Sequence, residues 1–181
     1  MHRCIGIHDP STGGANVTLS TQQPVSSTAR MIGHFVHAIQ DVLGTVAATK
    51  VSVGKVHEKV DQVATHDISG IIGFSGNFAG SMVLSFRNET ALALAKVFAG
   101  TDVTLNSPYL TDAVGELANM IAGVAKKHLI DTYMTAPSVI VGTGHFVARM
   151  HDVPCIVIPC EIPAGAFAVE INVKEAPAGC S

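Results

Sequence analysis

Charge is scarce in this chain. Asp, Glu, Lys and Arg make up 14% of its 181 residues, the formal net charge is −3, and the 11 basic residues form no dense cluster. Neither a nucleic-acid groove nor an anionic membrane surface is therefore expected as a partner. No apolar run has the length needed to span a bilayer. The first residues, Met1 to Pro10, lack the basic start, apolar stretch and small-residue cleavage site of a secretory signal, so the expected location is the cytoplasm. The four cysteines, Cys4, Cys155, Cys160 and Cys180, include no Cys-x-x-Cys pair, which argues against a disulfide framework or a zinc site. Cys155 and Cys160 lie five apart in a strand-like stretch and should point to opposite faces.

Other chemical signatures are missing too. The glycines between Gly70 and Gly80 have no Gly-Lys-Ser/Thr ending, so they suit a tight hairpin better than a phosphate cradle. Ser75, Ser81 and Ser85 stand in no Gly-x-Ser-x-Gly elbow. His34 and His37 have the i, i+3 spacing of metal ligands but no carboxylate or thiolate nearby, which favours ordinary solvated histidines. His145 and His151 have no identifiable triad partners. No metal site is expected.

What remains is a globular chain, 48% apolar, of a length that suits one domain with a core of its own. Its low charge density suggests apolar surface covered by a second subunit. Residues 1–27 lack sustained periodicity and read as an extension, with a short strand at Val17 to Leu19. Residues 28–175 read as the domain and 176–181 as a tail.

Within the domain, Met31, Ile32, Phe35, Val36, Ile39, Val42, Leu43 and Val46 recur at helical spacing. A strand is expected over Val51 to His57. Ile68 to Ser75 and Gly80 to Phe86 read as a hairpin. A helix follows from about Glu89 to Ala99, with Asn88 as its N-cap and Gly100 as its stop. A third helix starts at Pro108 behind Ser107 as N-cap, and Lys126, Lys127 and His128 complement its dipole at the far end. Two more strand pairs, Ser138 to Gly142 with His145 to Met150 and Pro154 to Ile162 with Phe167 to Val173, complete three helices and about seven strands. The connections are short enough for antiparallel pairing. The expected class is α+β, with three helices packed on one face of a mainly antiparallel sheet.

The third helix carries the chemistry. Asp112, Glu116, Asn119 and Gly123 follow one another at steps of four, three and four, so they share a face. Val114, Leu117, Ala118, Ile121, Val124, Ala125 and Leu129 keep the same rhythm on the other side. Polar residues on a solvated helix face are the ordinary case. Two details count against that explanation here. Asn is a mediocre helix former, and an interior Gly costs about 1 kcal/mol relative to Ala. A helix shaped only for stability would hold neither.

Asp112-x-x-x-Glu116-x-x-Asn119-x-x-x-Gly123, followed by Ala136-Pro137-Ser-Val-Ile-Val-Gly142, resembles the CheX/CheC/FliY family of chemotaxis phosphatases, and its CheX branch most closely. A lone Glu-x-x-Asn arises often by chance. The leading Asp, trailing Gly, downstream Pro and the order of elements from Ser27 to Glu175 make the likeness specific. It implies a CheC-like fold and a hydrolase whose substrate is a protein, the aspartyl phosphate of a CheY-type response regulator. By this resemblance Glu116 docks to the regulator's active-site lysine and Asn119 orients the attacking water. Asp112, Gly123 and Pro137 are supporting positions. Magnesium would be supplied by the regulator, no cofactor would be bound by this chain, and a homodimer joined through sheet edges is implied. The first helix offers Arg30, His34, His37 and Gln40 but no Glu-x-x-Asn, so one active site is expected per chain. The rival reading is a non-catalytic module that docks a receiver domain through the same helix.

Overall fold

A computed structural model describes residues 27–176 of the chain. Helix α1 spans Ser27–Val46, and its apolar stripe buries Met31, Phe35, Ala38, Ile39, Val42 and Leu43. Two short strands, β1 at Ser52–Val53 and β2 at His57–Lys59, stand where one continuous strand was expected over Val51 to His57. Both pair antiparallel with β7 (Cys155–Ile162), but a break at Gly54 to Val56 separates them. The hairpin is present as β3 (Ile68–Gly76) and β4 (Phe78–Phe86), in register from Ile68 opposite Phe86 to Phe74 opposite Gly80. Gly76 has φ +106° and lies against the Asp131 carbonyl, so close that a Cβ there would stand 2.3 Å from the oxygen. Only glycine fits that bend.

Helix α2 covers Asn88–Ala99 and ends on Gly100 in the left-handed conformation, whose N–H bonds to the Lys96 carbonyl. Its N-cap is Arg87, not Asn88, and makes no side-chain capping bond. Asn88 is already inside the helix, and Thr90 nearby donates its hydroxyl to the Ala166 carbonyl at 3.1 Å. Helix α3 runs Pro108–Lys126, with Ser107 in extended conformation accepting from the Tyr109 N–H at 3.3 Å. Proline at the first helical position loses no hydrogen bond there.

After α3 come β5 (Thr132–Met134), β6 (Ser138–Val141), β7 and β8 (Gly165–Glu175). The expected strand from His145 to Met150 does not form, and β5 takes a place on β3 that the sequence pattern did not suggest. The stretch 145–150 makes only an isolated bridge from Phe146 to Val63. Its backbone bonds go elsewhere: the Val147 N–H to the Gln62 carbonyl, and the Met150 N–H to the Asn172 side-chain oxygen at 2.8 Å. Val17 to Leu19, Cys4 and Cys180 lie outside the described residues.

All eight strands form one antiparallel sheet in the order β1-β7-β8-β4-β3-β5, with β2 also on β7 and β6 also on β3. One face takes all three helices. Ile68, Ile72, Met82, Leu84, Phe86, Phe167, Val169 and Ile171 alternate onto it and meet the apolar stripes of the helices in one core. Gly70 lets α3 sit directly on the sheet: a Cβ there would lie 3.0 Å from the Ala118 Cβ and 3.1 Å from the Val114 carbonyl. The architecture is the α+β arrangement, three helices on one face of an antiparallel sheet, that the sequence pattern predicted. The opposite face is roofed by residues 57–66 and 145–153. There Ala64, Val83 and Val147 make a small second cluster.

Candidate functional site

Helix α3 is fixed on its inner side by Leu110, Ala113, Val114, Leu117, Ala118, Ile121, Ala122 and Ala125, all buried. Asp112, Glu116 and Asn119 are exposed on its outer side, as the spacing required. At 1.5 Å rise per residue, Glu116 and Asn119 stand about 4.5 Å apart along the axis, and Asp112 about 6 Å before Glu116. Among the described residues, none of the three side chains takes part in an ion pair or hydrogen bond.

Gly123, half-buried on the same face, has none of the described residues within 4 Å of where a Cβ would stand. Packing inside the chain therefore does not demand glycine at this position. Pro137 is exposed in the link between β5 and β6. It lies beside α3, its Cγ 3.5 Å from the Cβ position of Gly115, as does Val139 of β6. Proline and strand together brace the outer flank of the helix.

That flank opens into a groove of about 670 Å³, walled by Phe98 from the end of α2, Tyr109, Asp112 and Glu116 from α3, Pro137, and Val139 from β6. The groove brings together three of the five anticipated positions. Asn119 and Gly123 lie further along the helix, outside it. Tyr109 and Phe98 were missed by the sequence reading. A signal for Tyr109 was available, since at 100° per residue Tyr109, Asp112, Glu116, Asn119 and Gly123 all fall within an arc of about 80°. Nothing local in the sequence marks Phe98.

The other constellations resolve differently. His34 is not simply solvated: its ring stacks on His128 with centroids 4.1 Å apart and planes 6° from parallel. Burial, and then the charges of His128, Arg30 and His37, hold its pKa below the ordinary 6.5. His145 receives a structural place, bridging the Gly142 carbonyl at 2.6 Å and the Ser69 hydroxyl at 2.9 Å. Ser69 is fully buried, and both ring nitrogens of His145 are taken up by these bonds. Cys155 and Cys160 are buried free thiols on opposite faces of β7, and burial pushes the Cys160 pKa up to about 12. Among the described residues, no group of three or more His, Cys, Asp or Glu is placed to hold a metal ion, and no helix is long and apolar enough to cross a membrane.

The fold is that of an α+β protein, an antiparallel sheet with three helices on one face, one of which presents Asp112, Glu116 and Asn119 outward. Comparison with known proteins makes it specific. Residues 68–161 match the family described as chemotaxis phosphatase CheX, and the chain belongs to that family. It is 33% identical over 94 residues to the CheY-P phosphatase CheX of Thermotoga maritima, a match covering 51% of this chain and 58% of that protein. The chemotaxis protein CheX of Desulfovibrio desulfuricans superposes with a TM-score of 0.73 at 32% identity, over 81% of this chain and 99% of that one. The same fold, at TM-score 0.67 and 23% identity over 80% of this chain and 98% of the other, appears in the CheX of a CheX–CheY–BeF3–Mg2+ complex from Borrelia burgdorferi.

Proposed function

We propose that this chain hydrolyses the aspartyl phosphate of a CheY-type response regulator, with residues 28–175 as the working domain. The observation that carries this reading is the outer face of α3, where Glu116 and Asn119 are exposed, adjacent and unengaged on a helix whose other side is locked into the core. Membership in the CheX family and the curated phosphatase among its relatives support it.

The chemistry asks little of the chain beyond position. An aspartyl phosphate is an acyl phosphate, already activated, and its transfer to water passes through a loose transition state. Water attacks phosphorus in line, the bond from phosphorus to the aspartyl oxygen breaks, and inorganic phosphate leaves with the carboxylate restored. Asn119 accepts a hydrogen bond from that water through its carboxamide oxygen and donates through its nitrogen toward the phosphoryl group. An amide has no useful pKa, so it orients and does not take the proton. Glu116, about one turn earlier, forms an ion pair with the regulator's active-site lysine and so fixes where Asn119 enters. Gly123 leaves room for the regulator's backbone, and Pro137 steadies the helix from its flank. Magnesium belongs to the regulator in this reading. The Borrelia burgdorferi complex, in which a CheX of this fold was crystallised with CheY, BeF3 and Mg2+, is in keeping with that division. We place the protein in the cytoplasm as a homodimer, joined where the sheet ends on short strands at both margins.

The test is phosphate release from a CheY-type receiver charged with acetyl phosphate in the presence of Mg2+. The chain should speed release, and Asn119→Ala should lower kcat about a hundredfold, the cost of removing one oriented polar group, while leaving receiver binding intact. Binding without acceleration by the native chain would establish the docking module instead.

A further inference from the structure

We infer that the groove beside Glu116 is the specificity pocket of this protein, and that it takes an apolar side chain, flanked by a cationic one, from the receiver segment bordering the phosphorylated aspartate. The inference rests on the phosphatase reading for the identity of the partner and adds the residues that select it.

Three features of the groove point to that occupant. First, it is continuous with the proposed docking face, because Asp112 and Glu116 line it and belong to the same row as Asn119. Phe98, Tyr109 and Val139 line the same groove as Glu116, within reach of residues that neighbour a lysine bound there. Second, its walls differ in kind. Phe98, Tyr109, Pro137 and Val139 are apolar or aromatic, whereas Asp112 and Glu116 add two carboxylates that meet no cation among the described residues. An apolar side chain next to a positive charge satisfies both, and an acidic or purely polar segment satisfies neither. Third, Tyr109 is 55% exposed at the start of α3, where Ser107 and Pro108 fix the helix end. Such a ring is ready to be covered, since its backbone is already ordered and aromatic side chains supply large contact area at low entropic cost.

Tyr109 and Phe98 act here on recognition and not on the reacting atoms, so their removal separates from that of Asn119. With an acetyl-phosphate-charged CheY-type receiver and Mg2+, Tyr109→Ala should raise KM about tenfold, the scale of a modest interface anchor, with kcat within about twofold of native. Phe98→Ala should move KM in the same direction. Tyr109→Phe should behave like the native chain, because the ring and not the hydroxyl is used. Phe146→Ala, which removes an exposed aromatic from the opposite side of the sheet, should change neither constant. Circular dichroism and the melting temperature report whether each variant folds.

An unchanged KM and unchanged receiver affinity in folded Tyr109→Ala and Phe98→Ala, with native acceleration intact, would overturn the groove and leave the phosphatase standing. Tighter binding in native than in Tyr109→Ala, without acceleration by either, would keep the groove and overturn the phosphatase. A native chain that neither binds nor accelerates would remove both.

Discussion

Two glutamates on opposite sides of this molecule show what separates architecture from function. Glu170, in the middle of β8, is 1% exposed and fully engaged. One oxygen accepts from the Lys59 ammonium at 2.9 Å and from the Thr65 N–H and hydroxyl at 2.9 and 2.6 Å. The other accepts from the Arg149 guanidinium at 2.6 Å. Glu116 is exposed and engaged by no side chain among the described residues. A buried carboxylate persists only when its oxygens are satisfied, and Glu170 uses that need to pull residues 57–66 and 145–153 down as a roof over the sheet. A solvated carboxylate costs nothing to leave alone. Glu116 stands on a rigid element one turn from a carboxamide, which is the placement that the proposed docking to a receiver requires.

The comparison is most sharply tested by removing each carboxylate. Glu170→Leu leaves Lys59 and Arg149 buried without their counter-charge, the Arg149 Nε already having no hydrogen-bond partner. Urea unfolding should show a loss of about 3–5 kcal/mol, the usual cost of breaking a buried ion pair from one side. Glu116→Leu should lie within about 0.5 kcal/mol of native. Equal losses would dissolve the distinction. A smaller effect is expected where the two sides meet. Gly70→Val would press a branched side chain against the Val114 carbonyl and the Ala118 methyl, at about 1–3 kcal/mol for overpacking. Because that contact seats α3 on the sheet, the folded variant should also lose phosphatase rate, though residue 70 lies far inside. Loss of stability with an unaltered rate would mean that the seat of α3 does not govern its outer face.

Much of the helical layer was legible from sequence because its determinants are local. Ser107 before Pro108 and Gly100 after α2 act within one turn of themselves, and the stripes of α1 and α3 are set by a period that a window of residues contains. The roof was not legible. What decides its shape is a set of side-chain bonds across long separations, such as Arg149 and Lys59 to Glu170 and Asn172 to Met150 and Val153. Residues 145–150 have strand-like composition, yet Asn172 takes the Met150 N–H that a ladder would have used, and the strand is lost. One sign was available in β8, where Glu170 and Asn172 interrupt an apolar run at alternate positions and so share a face with no charge beside them in sequence. On α3, the shared exposed face of the carboxylates and the amide was legible because polar groups at helical spacing were counted. Tyr109 was passed over because an aromatic on the same arc was not. Phe98 required the packing of α2 beside α3 to be known.

The smallest effect concerns the far end of α3, where His128 stacks on His34 of α1 in a crevice that also holds Arg30 and Glu175. His34 is kept below its ordinary pKa by burial first, then by His128, Arg30 and His37. His66, at the end of the first roof segment, is lowered by burial and by Arg87, against the opposing pull of Asp67 and Glu170. A histidine whose folded pKa is depressed binds a proton more weakly when folded than when unfolded. Its contribution is therefore present above the unfolded value of about 6.5 and is lost as pH falls through it. The urea midpoint should decline between about pH 7.5 and pH 5, and His34→Gln and His66→Gln should each flatten part of that slope. Because α3 is held at this end through the stack while its outer face is free, His34→Gln should leave kcat at pH 7.5 unchanged and alter only the acid limb of stability. A midpoint that rose on acidification in the native chain would mean that burial does not govern the proton affinity of His34 and His66.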